Sequence, residues 1–136
     1  MSVEIPEKFN DMLEKSEFCW FTTVRADGMP QPTPVWFVRD GDSLLIYTEP
    51  TSQKVRNIRA NPKVALSVAN EDAGDYVVVQ GAARIDPSIP PADRMPAYFQ
   101  KYQDLIAEIG YTPESFVAQW SLPIRVTPLH VHGLLS

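Results

Sequence analysis

The chain has 136 residues, a length that suits one domain over residues 1–136, because two smaller domains could not each bury an adequate core. Hydrophobic residues make up 44% and charged residues 21%, which is typical of a globular protein and excludes a disordered chain or a coiled-coil rod. The formal charge of -5 disfavours a protein whose main ligand is a nucleic-acid backbone, because that backbone is also negative.

The first predicted element is a short amphipathic helix from Pro6 to near Ser16. Three segments rich in β-branched and aromatic residues follow at 18–25, 33–39 and 43–48, and Asp-Gly pairs between them mark tight turns. We therefore expect three consecutive antiparallel strands. The second should begin irregularly or at a sheet edge, because its three nearby prolines cannot donate to a ladder.

Two more strands are predicted at residues 64–69 and 76–85, and Gly81 inside the second predicts a bulge or a close backbone approach. Between residues 86 and 122 apolar side chains recur every three or four residues, which predicts two helices before a sixth strand at 123–132. The expected fold class is mainly β with flanking helices, as a six-stranded antiparallel barrel that is closed or partly closed.

A two-turn helix is predicted at residues 53–60, with Ser52 as its N-cap. Four cations lie in or just after this helix, and no Asp or Glu occurs between residues 51 and 70: Lys54, Arg56, Arg59 and Lys63. A cation in the first turn faces the positive end of the helix dipole, which is unfavourable unless an anion binds there. The pattern predicts a phosphate site at Ser52, Gln53 and Lys54, although a solvated basic face explains the same charges.

The remaining reactive groups support no familiar catalytic motif. Cys19 stands among apolar residues with no adjacent His, which favours a buried structural thiol over a nucleophile. His130 and His132 would share one strand face, but without a third ligand we expect no metal site. A bound cofactor is therefore the best source of chemistry, and Trp36 or Phe37 could either contact a flat ring or belong to the core.

The first twenty residues contain four Glu and one Asp, unlike the basic start of a secretory signal. The longest apolar runs have four residues, too short to cross a bilayer. Because Cys19 is the only cysteine, no internal disulfide can form. We expect a cytoplasmic protein with no membrane anchor and no nucleic-acid partner.

Several stretches resemble the pyridoxamine 5'-phosphate oxidase-like split β-barrel superfamily: TTVRADGMPQPTPVWFV, LLIYTEPTSQKVRNIRANPKVALSV and VVVQGAARI. With the tail ADRMPAYFQKYQDLIAEIGYTPESFVAQWSLPIRVTP, the chain is more narrowly similar to the branch of deazaflavin-dependent reductases that use coenzyme F-420. This resemblance implies an FMN-binding type of split barrel and a homodimer with a cofactor pocket at the subunit interface.

The resemblance also implies which residues hold the cofactor. The ring system would lie along Thr33, Pro34, Val35, Trp36 and Phe37, with Tyr47 and Thr48 on the ribityl side. The phosphate would be held by Ser52, Gln53 and Lys54, and the acidic tail of F-420 by Arg56, Arg59 and Lys63. Arg125, His130 or His132 would reach the cofactor of the other subunit.

The expected function is an oxidoreductase that transfers a hydride from reduced F-420 to a conjugated organic acceptor, with a proton from water, Tyr47 or Tyr76. No side chain is assigned as catalytic. One alternative is an FMN-dependent reductase or oxidase of the same fold, which is disfavoured because Gln53 stands where FMN oxidases carry Arg. The other is a non-catalytic protein that binds flavin, deazaflavin, haem or another tetrapyrrole.

Overall fold

The computed structural model describes residues 2–136. Within them the chain forms seven strands and four α-helices. The strands are β1 (Cys19–Val24), β2 (Pro30–Val35), β3 (Val38–Asp40), β4 (Ser43–Thr48), β5 (Lys63–Ala69), β6 (Tyr76–Ile85) and β7 (Leu122–Leu134). The helices are α1 (Asn10–Lys15), α2 (Gln53–Ala60), α3 (Pro96–Glu108) and α4 (Pro113–Gln119), with 3-10 turns at Glu7–Phe9 and Ala92–Arg94. The fold is mainly β with flanking helices, as predicted.

All seven strands form one antiparallel sheet in the order β2-β1-β5-β6-β7-β4-β3. The prediction of six strands is wrong, because residues 33–39 are divided between β2 and β3 at opposite edges of the sheet. Of the two forms predicted, a closed or a partly closed barrel, the closed form is wrong, since no ladder within residues 2–136 joins those two edges. Likewise β2 and β4 are not neighbours, so the expected run of three consecutive antiparallel strands holds only for the hairpins β1–β2 and β3–β4.

The break between β2 and β3 has a physical cause at Phe37. Its main-chain N–H donates to Tyr102 Oη at 2.9 Å, and its carbonyl accepts from Lys101 Nζ at 3.0 Å. Both side chains belong to α3, so the polar groups that a continuous strand would offer to a neighbour are satisfied by a helix instead. The chain therefore leaves one edge of the sheet and enters the other within two residues.

Edge strand β2 has prolines at every second position: Pro30, Pro32 and Pro34. At the end of its hairpin with β1, the Arg25 N–H donates to the Met29 carbonyl at 2.9 Å, so Arg25 and Met29 form a hydrogen-bonded pair. Along an antiparallel ladder such pairs alternate with pairs that share no hydrogen bond. The prolines consequently occupy the pairs without ladder bonds, and their carbonyls point to the free edge. That edge presents acceptors and no proline N–H, which confirms the predicted edge position.

Two hydrophobic clusters lie on opposite faces of the sheet. The inner cluster packs α1 and α2 against β1, β5, β6, β7 and alternate residues of β4, and it includes Phe21, Phe37 and Ile46. The outer cluster packs α3 and α4 against the other face of β3 and β4, and it includes Leu45 and Tyr47. Strand β4 is buried along its whole length because both clusters use it.

The prediction for Gly81 is confirmed, and two further residues mark the ends of helices. The β6–β7 register shifts between Gln80 and Gly81, and a Cβ at Gly81 would collide with the Thr127 carbonyl, so this glycine marks both a bulge and a close approach. Gly110 has φ +88° just after α3, and the Thr112 side chain caps α4 by accepting from the Ser115 N–H at 3.1 Å. No helix in residues 2–136 combines the length and the hydropathy needed to cross a bilayer.

Candidate functional site

A cavity of about 290 Å³ lies where the ends of β2 and β4 meet the first turn of α2 and the helices α3 and α4. Its lining has a main-chain and polar part and an aromatic part: Pro34, Val35, Trp36, Tyr47, Thr48, Lys54, Tyr98, Ile109, Phe116 and Trp120. Six of these ten residues belong to the predicted cofactor site. These six residues come from three separate segments of the chain and share one cavity, whereas the rest of the predicted set does not line it.

Tyr47 and Thr48, the last residues of β4, form one wall of the cavity. Tyr47 Oη donates to the Pro90 carbonyl at 2.6 Å, and burial raises the pKa of this phenol to about 12. Thr48 Oγ1 lies 3.4 Å from Ser52 Oγ, next to the start of α2. Tyr47 thus secures the loop before α3 and keeps its proton, whereas Thr48 presents a hydroxyl beside the helix end.

Lys54 occupies the first turn of α2, in the cavity lining, and is half-buried. Burial lowers the pKa of its ammonium, with Glu49 acting in the opposite direction, yet no carboxylate among residues 2–136 lies within 4.0 Å of it. Ser52 takes the N-cap position, but its side chain makes no hydrogen bond to the helix, so the predicted side-chain cap is wrong. The Val55 N–H donates to the Ser52 carbonyl at 3.2 Å, so the Ser52 hydroxyl, the N–H groups of Gln53 and Lys54 and the ammonium are available to an anion.

A buried amide fastens α2 to the β1–β2 hairpin. The Nδ2 of Asn57 donates to Thr23 Oγ1 at 2.9 Å and to Gln31 Oε1 at 3.0 Å, and its Oδ1 accepts from Gln53 Nε2 at 2.8 Å. Gln53 Oε1 in turn accepts from Arg56 at 2.7 Å. This network determines where the first turn of α2 lies relative to the strand that lines the cavity.

The other predicted cofactor residues lie outside the cavity lining. Phe37 is fully enclosed in the inner cluster, and Thr33 faces the sheet interior, where its enclosed Oγ1 has no hydrogen-bond partner. The Gln53 amide is engaged by Asn57 and Arg56, and the Arg56 and Arg59 side chains are exposed on α2. Lys63 is also exposed, at the start of β5. All three cations therefore face solvent rather than the cavity.

The sequence analysis missed the aromatic part of the lining. Tyr98 and Ile109 come from α3 and the residue that follows it, and Phe116 and Trp120 come from α4 and its C-cap. The helices themselves were predicted, but their aromatic residues were assigned to packing. The signal that could have found them is the density of rings between residues 98 and 120, which exceeds what a two-helix cover needs.

Arg125 has partners within its own chain. Its Nε donates to Asp86 Oδ2 at 2.9 Å and its Nη1 to Asp40 Oδ2 at 3.1 Å. Hydrogen bonds from Ser88 and Arg125 lower the pKa of the Asp86 carboxyl to about 2. Arg125 therefore ties β7 to the β3–β4 turn and to the loop after β6, and the proposed reach into another subunit gains no support.

The two histidines lie on the exposed part of β7, with ring centroids 5.7 Å apart. No third His, Cys, Asp or Glu completes a metal-binding group with His130 and His132 in the described part of the chain. Their contribution to a partner's cofactor site stays a prediction.

Comparisons with known proteins show the family to which the chain belongs. Residues 5–131 match the family described as pyridoxamine 5'-phosphate oxidase. A solved structure named F-420 reductase is 30% identical, with a TM-score of 0.72 over 94% of this chain and 98% of that one.

More distant solved structures share the fold alone. General stress protein 26 from Bacillus anthracis is 21% identical, with a TM-score of 0.71 over 94% of this chain and 92% of that one. An FAD-binding protein from Mesorhizobium loti is 17% identical, with a TM-score of 0.67 over 93% and 89%. Since the family match spans nearly the whole chain, the protein belongs to the pyridoxamine 5'-phosphate oxidase family and has its oxidoreductase-type split-barrel fold.

Proposed function

We propose that the protein is an oxidoreductase that binds reduced coenzyme F-420 and passes a hydride to a conjugated organic acceptor. The observation that carries the proposal is Lys54, a half-buried ammonium without a carboxylate partner in the lining of an aromatic cavity. The 30% identity to a structure named F-420 reductase supports this cofactor over FMN.

The phosphate of the cofactor would bind at the start of α2. A partly desolvated cation is costly unless an anion neutralises it, and the positive end of the helix dipole adds to that requirement. The hydroxyls of Ser52 and Thr48, 3.4 Å apart, and the N–H groups of Gln53 and Lys54 would complete the cradle. These groups suit a phosphate monoester better than a neutral ligand.

The flat ring would lie against the free edge at the end of β2. The Pro34 carbonyl points to that edge, and no hydrogen bond within residues 2–136 uses the main-chain N–H of Trp36. A neighbouring acceptor and donor are complementary to the C=O and N–H of a ring imide, which flavins and deazaflavins share. The fit of this edge therefore supports a cofactor of the flavin type.

When bound, reduced F-420 would supply the hydride. The chain would contribute binding, orientation and exclusion of water, and these proximity effects can account for much of a rate enhancement. Tyr47 is a poor proton donor because its hydroxyl is committed to Pro90 and its pKa is raised to about 12. Tyr76 is not part of the cavity lining, so we assign the second proton to water.

The acidic tail of F-420 would run over the basic surface formed by Arg56, Arg59 and Lys63. These side chains are exposed, so each contributes a modest and salt-sensitive attraction. FMN has no such tail. The basic surface is therefore the feature of this chain that would distinguish the two cofactors.

A homodimer is part of the same proposal. Phe18, just before β1, and Trp20, on β1, are about half exposed and pack edge to face with centroids 6.2 Å apart. Exposed aromatic pairs of this kind are typical of protein–protein contacts. A sedimentation measurement should give a dimer for the parent chain and a larger monomer fraction for Trp20→Glu.

Fluorescence titrations of the cofactor-free protein with F-420 and with FMN test the proposed cofactor. The parent protein should prefer F-420, and Lys54→Ala should weaken its binding by about 1.5–3 kcal/mol, the worth of a charge-assisted hydrogen bond. Lys15→Ala is the matched control, because Lys15 pairs with Asp11 at 3.1 Å on α1, away from the cavity. It should bind F-420 as the parent does.

Other outcomes would redirect the proposal. A preference for FMN would favour the flavin-dependent alternative, and binding of neither would favour the non-catalytic haem or tetrapyrrole binder. Arg59→Ala should weaken binding of F-420 but not of a deazaflavin that lacks the acidic tail. Equal losses for both ligands would contradict the assignment of the basic surface to the tail.

A further inference from the structure

The β1–β2 ladder ends at a side-chain hydroxyl that comes from α3. Its last pair is Cys19 with Val35, so the same register would next join Glu17 to Phe37. Tyr102 Oη stands between these two residues. It accepts from the Phe37 N–H at 2.9 Å and lies 2.8 Å from the Glu17 carbonyl and 2.8 Å from the Phe37 carbonyl, either of which can accept its proton. The hydroxyl therefore replaces the direct main-chain bond that would have extended the ladder.

The inserted hydroxyl is enclosed and keeps its proton. Tyr102 and Phe37 are both completely buried, and burial raises the pKa of the Tyr102 phenol above its ordinary value. A buried main-chain N–H without a partner is costly, so the Phe37 N–H depends on this oxygen. Removal of the oxygen alone would leave that N–H unpaired or let the two chain segments close on each other. Either change would move the peptide groups beside Phe37.

The residue before Phe37 is held by the same tyrosine. The Trp36 ring stacks on the Tyr102 ring with centroids 4.7 Å apart and 1° between the planes. Lys101, also on α3, donates to the Phe37 carbonyl at 3.0 Å and to the Leu13 carbonyl at 3.1 Å, and its Nζ lies 4.1 Å from the centre of the Phe37 ring. Helix α3 thus holds the side chain of Trp36 and both polar main-chain groups of the next residue.

These contacts act on the part of the free edge that the ring imide would meet. In an antiparallel ladder the polar groups of alternate residues point in opposite directions, so the Pro34 carbonyl and the Trp36 N–H point away from β1. Trp36 has only two soft main-chain angles, and fixing its ring and the following N–H leaves its own N–H one direction. Tyr102 does not line the cavity, so it acts through Trp36.

We propose that Tyr102 is a positioning residue for the cofactor ring: its hydroxyl ends the β1–β2 ladder and its ring holds Trp36, so that the Trp36 N–H and the Pro34 carbonyl together face the ring imide. The inference rests on the proposed function, because it concerns how a flavin-type ring is bound. The donor and the acceptor are ordered when the protein folds rather than when the ligand arrives. Preorganisation of this kind raises affinity.

The test compares 5-deazariboflavin with its 3-methyl derivative, which has no imide N–H to donate to the Pro34 carbonyl. Neither compound carries a phosphate, so Lys54 and the start of α2 do not enter the comparison. The parent protein should bind the 3-methyl compound about tenfold more weakly, the worth of one well-placed hydrogen bond. Fluorescence titration measures both dissociation constants.

Tyr102→Phe keeps the stacked ring and removes only the hydroxyl. It should raise the Kd for 5-deazariboflavin about three- to tenfold and reduce the weakening caused by methylation to about threefold or less. A role in stability alone would not change the ratio of the two constants. Lys101→Met removes the bond to the Phe37 carbonyl and should change both measurements in the same direction by a smaller factor, so it decides the question if Tyr102→Phe does not fold.

Tyr111→Phe is the matched control. It removes a phenol hydroxyl just after α3 that donates to Gln119 Oε1 at 2.7 Å, and neither residue lines the cavity. This variant should bind both compounds as the parent does.

Two results for Tyr102→Phe would overturn the proposal: an unchanged Kd for 5-deazariboflavin, or a raised Kd with the parental effect of methylation. If only Lys101→Met folds, a parental methylation effect in that variant would overturn it as well. A parent protein that binds neither F-420 nor 5-deazariboflavin would defeat the proposed function and this inference with it. Normal binding of F-420 by the parent, with no effect of the Tyr102 hydroxyl, would defeat the inference alone.

Discussion

The inner and outer hydrophobic clusters share strand β4 but do different work. The inner cluster is mostly aliphatic and contributes none of its buried members to the cavity lining, where only the partly buried Val35 packs against it. The outer cluster is rich in Tyr, Trp and Phe, and it contributes five lining residues: Trp36, Tyr47, Tyr98, Phe116 and Trp120. Branched aliphatic side chains fill the interior of a sheet, whereas flat rings leave surfaces to which another ring can bind.

Because only the outer cluster contributes buried residues to the cavity lining, a substitution in the inner cluster should lower the free energy of unfolding without changing the affinity for F-420. Phe21 is completely buried on β1, so Phe21→Ala should lower the free energy of unfolding by about 3–5 kcal/mol through lost contacts and a residual cavity. Urea denaturation measures the loss. The folded fraction should still bind F-420 with an affinity within about twofold of the parent, since the aromatic cavity is intact.

A weakened F-420 affinity in folded Phe21→Ala would break the comparison, because it would show that the two clusters are coupled through β4. A second inner-cluster substitution, Ile46→Val, removes a single methyl group from β4 itself and should cost about 0.5–1.5 kcal/mol. It serves as the mild control for the same measurement.

The loop after β6, whose Ile89 belongs to the outer cluster, is held by an ion pair between Arg125 and Asp86. Asp86 is 5% exposed and accepts from Arg125 and Ser88, so Asp86→Asn should lower the free energy of unfolding by about 2 kcal/mol near neutral pH. Its folded pKa of about 2 lies below the ordinary value of 3.8. The stabilisation is therefore complete above pH 3.8 and is lost as pH falls through about 2.

Urea denaturation between about pH 4 and pH 2 tests whether the stability that Asp86 contributes falls as the pH is lowered. The parent should lose stability as the pH falls from about 4 to about 2, and Asp86→Asn should lose less over the same interval. Glu71→Gln, a change at an exposed loop carboxylate, is the control and should follow the parent. Parallel curves for parent and Asp86→Asn would contradict the assigned partners.

The smallest effect is expected at the inner cluster's thiol. Cys19 is 1% exposed, and burial raises its pKa to about 12. Iodoacetamide should leave the native protein unmodified near pH 8 and alkylate it only in urea, as intact mass would show. Rapid alkylation of the native protein would mean that the inner cluster opens readily, and it would remove the contrast with the partly exposed outer cluster.

Much of the local structure could be predicted because its causes are local. The bounds of β4, α2 and β6 follow from alternation, helical period and the flanking turn residues, and the structure reproduces them. The interruption at Trp36 and Phe37 could not be predicted in this way. Just after β2 the Phe37 N–H donates to Tyr102 Oη, 65 residues along the chain, and nothing in the segment 33–39 indicates this partner.

The candidate site also has features that local sequence predicts and features that it does not. Lys54 could be identified from its position in a basic, acid-free helix start, because helix dipoles and local charge depend on neighbouring residues. Arg56 and Arg59 belong to the same charge pattern, yet the structure directs them to solvent. Charge density alone indicates a basic helix and does not tell which of its cations face a cavity.

By itself, the sequence determined most of the strand and helix segments, the bulge at Gly81, the burial of Cys19 and the concentration of cations around α2. Each depends on residue type and on spacing within a few positions. Only the tertiary structure decided that the sheet stays open with seven strands and that α3 and α4 bring Phe116 and Trp120 to the cavity that holds Lys54. That meeting depends on packing between residues more than sixty positions apart, and no local pattern encodes which faces of distant elements will share a space.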